Sequence, residues 1–241
     1  MSRPISRNAA CPCGSGQKFK RCCQEALDNP ASVAEAHNAV GSRIQEWASE
    51  FYAQQISSAF EEITSGHKGV VLGDGDLQLI GTWALSEREL PEGGTIAQRY
   101  AQRDDISAEE RDIASRIAGA HLALLRVDRV TPGRAIDAYD LTYGRQATVS
   151  SHDVSHAAQS GDLIVARLMD GPPALTLWGP VAFLDRDSGQ QLSQLLQSQL
   201  RALELESDAA GLAIAMRTAA REITALTSPA IRKTASALLA A

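Results

Sequence analysis

The sequence predicts an α+β protein in which a short cysteine-rich hook is followed by a helical segment, a small antiparallel β barrel or sheet, and C-terminal helices. Three observations carry that reading. All four cysteines fall within thirteen positions, Cys11 to Cys23, of the stretch SRNAACPCGSGQKFKRCC. Apolar residues recur near a helical period from Val33 to Ile63 and again beyond Ser188. Between them, from about Leu122, come five short segments rich in β-branched and aromatic residues, parted by glycine turns.

At 241 residues and 44% hydrophobic, the chain is long enough for one sizeable core or two small ones. No apolar run approaches the roughly 20 residues needed to cross a bilayer, and the opening MSRPISRNAACPC has no apolar stretch able to act as a secretion signal. A cytoplasmic location is therefore expected. Thiols stay reduced there, so clustered cysteines bind metal or do redox work rather than form disulfides. The net charge of -6 is unevenly spread. Arg3, Arg7, Lys18, Lys20 and Arg21 against Glu25 give residues 1–27 a charge of +4, which leaves -10 on the other 214. Such asymmetry points to a small basic contact surface aimed at an anionic partner, or to a solvated flexible end.

The hook carries the sharpest chemical signal. Cys11 and Cys13, separated by one residue, are followed eight residues later by the adjacent pair Cys22 and Cys23. Four thiolates satisfy a closed, tetrahedral structural zinc site. Pro12 restricts the backbone between the first two ligands, and Gly14 and Gly16 permit the turn that returns residues 22 and 23 to the metal. Adjacent side chains of a strand point to opposite faces, so Cys22 and Cys23 are expected in a helical or turn conformation, on a short helix running from Lys18 toward Leu27. So short a segment buries too little apolar surface to fold alone. Zinc binding, about 10–16 kcal/mol in small peptides, would supply the missing stability. A redox role would want two cysteines spaced C-x-x-C beside a strand and helix, which are absent, and a three-cysteine catalytic zinc would need a dry pocket that the hook cannot build.

Arg7, Asn8, Cys11, Pro12, Cys13, Gly14, Ser15, Gly16, Lys18, Phe19, Lys20, Cys22 and Cys23 together resemble the SEC-C motif. That zinc-binding element is found at the end of the preprotein translocase motor SecA and in many bacterial proteins of unassigned activity. The resemblance implies Zn2+ held by Cys11, Cys13, Cys22 and Cys23, and a partner-binding face at Lys18, Phe19 and Lys20, to which the local charge adds Arg21. In SecA the element binds the chaperone SecB and ribosomes and performs no catalysis. The body resembles more loosely the same SEC-C-bearing bacterial proteins, through segments such as GTWAL, RVTPGRAIDAYDLTYGRQATVSS and GDLIVARL.

The remaining elements follow in order. In DNPASVAE, Ser32 is the expected N-cap with Glu35 three residues on, opening one long or two consecutive amphipathic helices that end at SGHKG. GVVLG and DLQLIGTWAL predict a short apolar segment and then a strand or buried helix, parted by a plain turn at GDGD, which lacks the pattern of a phosphate or calcium loop. GTIAQRYAQR and SAEERDIASRIAGAHLALL predict helices, the second capped by Ser107 with Glu110 at its third position. LALLRVDRV, RAIDAYDLTYG, RQATVSS, DLIVARLMD and ALTLWGPVAFL predict five strands of a small barrel or twisted sheet. Beyond Ser188 three helices are expected, with Pro229 in the first turn after Ser228. The expected division is 1–27 hook, 30–120 helical, 121–187 β and 188–241 helical.

Other chemistry is thinly signalled. SHDVSH places His152 and His156 four apart with Asp153 between, which on a helix would put both rings on one face. The glutamate of H-E-x-x-H is missing, and a polar loop at the barrel rim is the expected alternative. Residues 121–187 hold six arginines and eight aspartates, a balance unsuited to binding phosphates, so any RNA contact is assigned to the hook. The expectation is a zinc-binding adaptor that shows a basic surface to a ribosome, an acidic chaperone or another anionic macromolecule. The alternatives are a hydrolytic enzyme with a site around His152 and His156, recruited by the hook, and an RNA- or ribosome-associated factor.

Overall fold

Asn29 and Pro30 set the first long helix. The computed structural model describes residues 6–11, 18–21, 23–65, 69–171 and 174–231. A 3-10 turn, Phe19–Arg21, leads into α1, Cys23–Asp28. Helix α2, Pro30–Phe51, begins where the Asn29 side chain accepts the Ser32 N–H at 3.4 Å. Ser32 is therefore inside the helix and not its cap, because Pro30 at the first helical position lacks only an N–H that would have been orphaned anyway. One residue, Tyr52, breaks the run before α3, Ala53–Thr64. There Trp47 packs against Phe51, Tyr52 and Tyr100 at ring distances of 5.6, 5.2 and 5.4 Å.

The GDGD stretch is the start of a helix, α4, Asp74–Ser86. The Asp76 carboxylate accepts the Gly73 N–H at 3.0 Å, and Asp74 and Asp76 put negative charge at the helix N-terminus, where the dipole favours it. Two further helices, α5 Ile96–Ala101 and α6 Ala108–Ala118, are capped by Thr95 and by Ser107 as its spacing predicts. The segment HLALL leaves the helical pattern and belongs to a strand.

Among the described residues six strands follow: β1 His121–Thr131, β2 Ala135–Asp140, β3 Arg145–Ser150, β4 Leu163–Met169, β5 Leu175–Leu177 and β6 Ala182–Phe183. β1 pairs with both β2 and β4, and a register shift between Val127 and Arg129 bends it. With β2–β3, β3–β5 and β5–β4 pairings the ring closes in the order β1-β2-β3-β5-β4-β1. This is a five-stranded Greek-key barrel, the architecture of OB-folds. Its pairings are antiparallel except β3–β5, which is parallel through Val149–Leu175 and Ser150–Thr176. Leu125, Ile136, Val149, Ile164 and Leu168 fill it, and Val154 of α7, His152–Ala157, covers one end. SHDVSH is thus helical where a polar loop was expected; Ser151 caps it by accepting the Val154 N–H at 3.3 Å.

The C-terminal helices among the described residues are α8 Arg186–Ala202, α9 Ala209–Thr218 and α10 Ala220–Thr227, and the third helix expected, from Ser228 onward, lies outside the described residues beyond Ile231. A single residue, Ala219, breaks the run between α9 and α10 that the sequence presents as continuous. One core joins α3 and α4 to the outer face of the barrel and to α8–α10 through Ile63, Ile80, Val165, Leu192, Met216 and Ile223. A second joins α2, α5 and α6 to the barrel through Ile44, Leu85, Ile117, Met169 and Trp178. Arg167, 2% exposed, ties the layers together. Its guanidinium donates to both Glu87 oxygens at 2.7 and 3.2 Å and to the Thr224 hydroxyl at 2.9 Å. Among the described residues no helix is long and apolar enough to cross a membrane.

Candidate functional site

The hook is a chain reversal. The Phe19 N–H donates to the Ala9 carbonyl at 2.9 Å, the Lys20 N–H to the Arg7 carbonyl at 3.0 Å, and Ala10 and Lys18 form an antiparallel bridge. Residues 18–21 therefore run beside residues 7–10, and Cys23 opens α1. Cys11 is buried and forms no disulfide among the described residues. Cys13 and Cys22 lie outside the described residues, and the Cys23 side chain does too. Among the described residues no group of three or more histidine, cysteine or acidic side chains is placed to hold a metal. What is described fits the four-thiolate arrangement in two respects: Cys11 is shielded from water, and the reversal lays residues 18–21 beside residues 7–10, so that the Cys23 backbone follows directly at the start of α1.

Lys18, Lys20 and Arg21 are exposed, whereas Phe19 is half-buried. The Phe19 ring lines a cavity of about 390 Å³ shared with Leu27 and with Arg129 and Arg134 of the β1–β2 hairpin. Arg134 forms an ion pair with Asp28 at the end of α1. The hook thus sits against the barrel with its ring inward and its cations outward. The barrel face beside it is charge-balanced: Arg129 donates to Asp137 at 2.8 Å, the Thr148 hydroxyl donates to the other Asp137 oxygen at 2.8 Å, and Arg126 pairs with Asp128 at 3.2 Å. Arginines already matched to aspartates leave this face little net field for phosphates.

His152 and His156 share one face of α7, with ring centroids 4.7 Å apart. Asp153 Oδ1 lies 3.0 Å from His152 Nδ1. The described residues add no further metal-ligating side chain to the pair.

The histidines that the sequence leaves scattered occupy more structured places. His37 on α2 is buried, and its pKa is lowered to about 4 by burial and by the nearby Arg116 charge. His121 stands at the barrel end opposite α7, edge-on to Tyr143 at 4.8 Å and 4.0 Å from Asp170. Burial pushes its pKa down while Asp170 and Asp140 oppose the shift. Asp140 is wholly buried; one oxygen accepts the Thr142 and Tyr143 N–H groups at 3.0 and 3.2 Å, and Arg145 lies 3.7 Å from it. Only the Asp140 to Gly144 turn is a local signal, since the strand pairings assemble the rest from positions far apart in sequence.

Comparison with known proteins bears on the hook. The SEC-C motif family matches residues 7–25. The chain is also 29% identical over 106 residues to "Uncharacterized protein YccF" of Bacillus subtilis (strain 168), a match covering 41% of this chain and 28% of that protein. The chain thus spans under a third of the length of that relative. No solved structure matches. Residues 7–25 of this α+β chain thus match the SEC-C motif, and the described part of that segment is a chain reversal with Cys11 buried.

Proposed function

We propose that the protein is a cytoplasmic zinc-binding adaptor. Cys11, Cys13, Cys22 and Cys23 hold one Zn2+, and the ordered hook shows Lys18, Lys20 and Arg21 to an anionic macromolecule, a ribosome or an acidic chaperone, with Phe19 giving short-range fit at its base. The observation that carries this reading is the outward placement of three cations on a reversed, SEC-C-matched segment joined to a body of opposite charge. Charge of that kind steers encounter and sets specificity. The alternative of a hydrolytic site at His152 and His156 draws support only from their shared helix face. Co-sedimentation with ribosomes and capture on an immobilised acidic chaperone test the adaptor reading. Changing Lys18, Lys20 and Arg21 to Glu should abolish capture by the true partner; capture unchanged by that triple variant would discard the basic face.

A further inference from the structure

A groove of about 910 Å³ runs between α2, α4 and the barrel end that carries α7, well separated in chemistry from the basic hook. Its floor is apolar, with Phe60, Trp178 and Phe183. Its α2 wall presents Asn38, Ser42, Gln45 and Ser49, all exposed.

Charge excludes one large class of ligand. Among the described residues Asp153, wholly exposed, is the one charged side chain along the groove, and no lysine or arginine lines it. Residues 28–241 carry -10. Phosphates and nucleic acids find no counter-charge there, whereas a cation is attracted.

Donor chemistry and length narrow the class further. The side-chain amides of Asn38, Gln45 and Gln78 form no hydrogen bond among the described residues. Each offers both a donor and an acceptor, which is what a peptide backbone requires, and the floor suits apolar side chains. From Ala34 to Ser49, the ends of the α2 wall, a helix advances about 22 Å at 1.5 Å per residue. An extended peptide rising about 3.3 Å per residue would place six or seven residues over that length.

Gly81 supplies an independent argument. It lies inside α4, where glycine costs roughly 1 kcal/mol relative to alanine. Among the described residues a Cβ there would meet nothing within 4 Å, so none of them requires its absence. Gly41, across the groove, is different: a Cβ would approach Trp178 to 2.6 Å. Gly81 leaves the α4 wall flat on the groove side, and a flat wall lets another backbone approach closely.

We infer that the groove binds an extended segment of a partner protein, six or seven residues long, with apolar side chains and net positive charge. This binding is separate from the hook's, so the two can fail separately.

The test uses the full chain and fluorescence anisotropy with a fluorescein-labelled seven-residue peptide of alternating leucine and lysine, beside its leucine and glutamate counterpart. The lysine peptide should bind saturably and the glutamate peptide at least about tenfold more weakly. Gly81→Leu should weaken binding at least about tenfold by filling the groove, while Gly189→Leu, at another helical glycine with open space but outside the groove, should leave it unchanged. If Gly81→Leu fails to fold, as judged by circular dichroism, Gln45→Trp on the exposed α2 wall takes its place. Changing Lys18, Lys20 and Arg21 to Glu should leave peptide binding intact. Absence of saturable binding, equal binding of the two peptides, or indifference to filling of the groove would each overturn the inference and leave the adaptor reading standing.

Discussion

Arg134, in the turn between β1 and β2, pairs with Asp28 at the last residue of α1, and this contact fastens the hook to the barrel. Both side chains are about half exposed. An exposed pair contributes at most about 1 kcal/mol, so Arg134→Ala should change global stability by less than that. It should nevertheless release the hook locally. Hydrogen exchange of the amides in residues 19–28 should quicken while exchange in the barrel strands does not; uniform protection in the variant would show that the pair does not position the hook.

A buried pair behaves differently. Arg167 and Glu87 join β4 to the C-terminal end of α4, and Arg167 has almost no access to water. Removing one partner strands the other's charge, at a cost of about 3–5 kcal/mol. Glu87→Gln and Arg167→Met should therefore each lower the urea midpoint by an amount corresponding to that range. The double variant Glu87→Leu with Arg167→Met should recover part of the loss, since two apolar groups leave no isolated charge. A double variant as unstable as the sum of the singles would contradict this account.

Two helix-interior glycines should respond in opposite directions to alanine. At Gly81 the added methyl meets open space, and relief of glycine's backbone entropy should stabilise by about 0.5–1 kcal/mol. At Gly41 the methyl would meet the buried Trp178 ring at 2.6 Å, and overpacking should cost about 1–3 kcal/mol. Thermal unfolding of the two single variants, side by side, measures both signs.

His37 makes stability depend on pH. Its pKa is about 4 in the folded protein against an ordinary 6.5, so the folded state prefers the neutral ring. The unfolded chain then binds more protons than the folded one between those values, and stability present above 6.5 is lost as pH falls toward 4. His121, also pushed down, acts in the same direction. His37→Gln should flatten the dependence of unfolding free energy on pH across that window without removing the steeper loss below it. That further loss comes from carboxylates held low: Glu62 by the Arg88 hydrogen bond, and Asp76, where burial is outweighed by hydrogen bonds from Ser228, Gly73 and Ala230. An unchanged slope in the variant would show that His37 is not the titrating group.

Much of the architecture could be read from local patterns. Alternation in RAIDAYD and RQATVS, with Gly133 and Gly144 at φ of 74° and 63° in the turns, marks β2 and β3 plainly. The closure of the barrel could not be read this way, because the parallel β3–β5 contact involves two residue pairs and depends on a long connection. The start of α2 is not a local property, since Asn29 and Ser32 both offer a cap and only the folded backbone decides which side chain meets an orphan N–H. The hook's chemistry was legible because its residues are contiguous. The cluster of His121, Asp140, Arg145 and Asp170 and the groove at Gly81 were not, because strand pairing and helix packing assemble both from distant positions.

The most direct test of the adaptor account is the metal content of full-length protein purified under reducing conditions, measured by inductively coupled plasma mass spectrometry together with hydrogen exchange of residues 6–28. The account predicts one zinc per chain, lost in Cys11→Ser along with protection of the hook amides. Protein that contains no zinc, yet protects those amides as fully as the barrel, would contradict it.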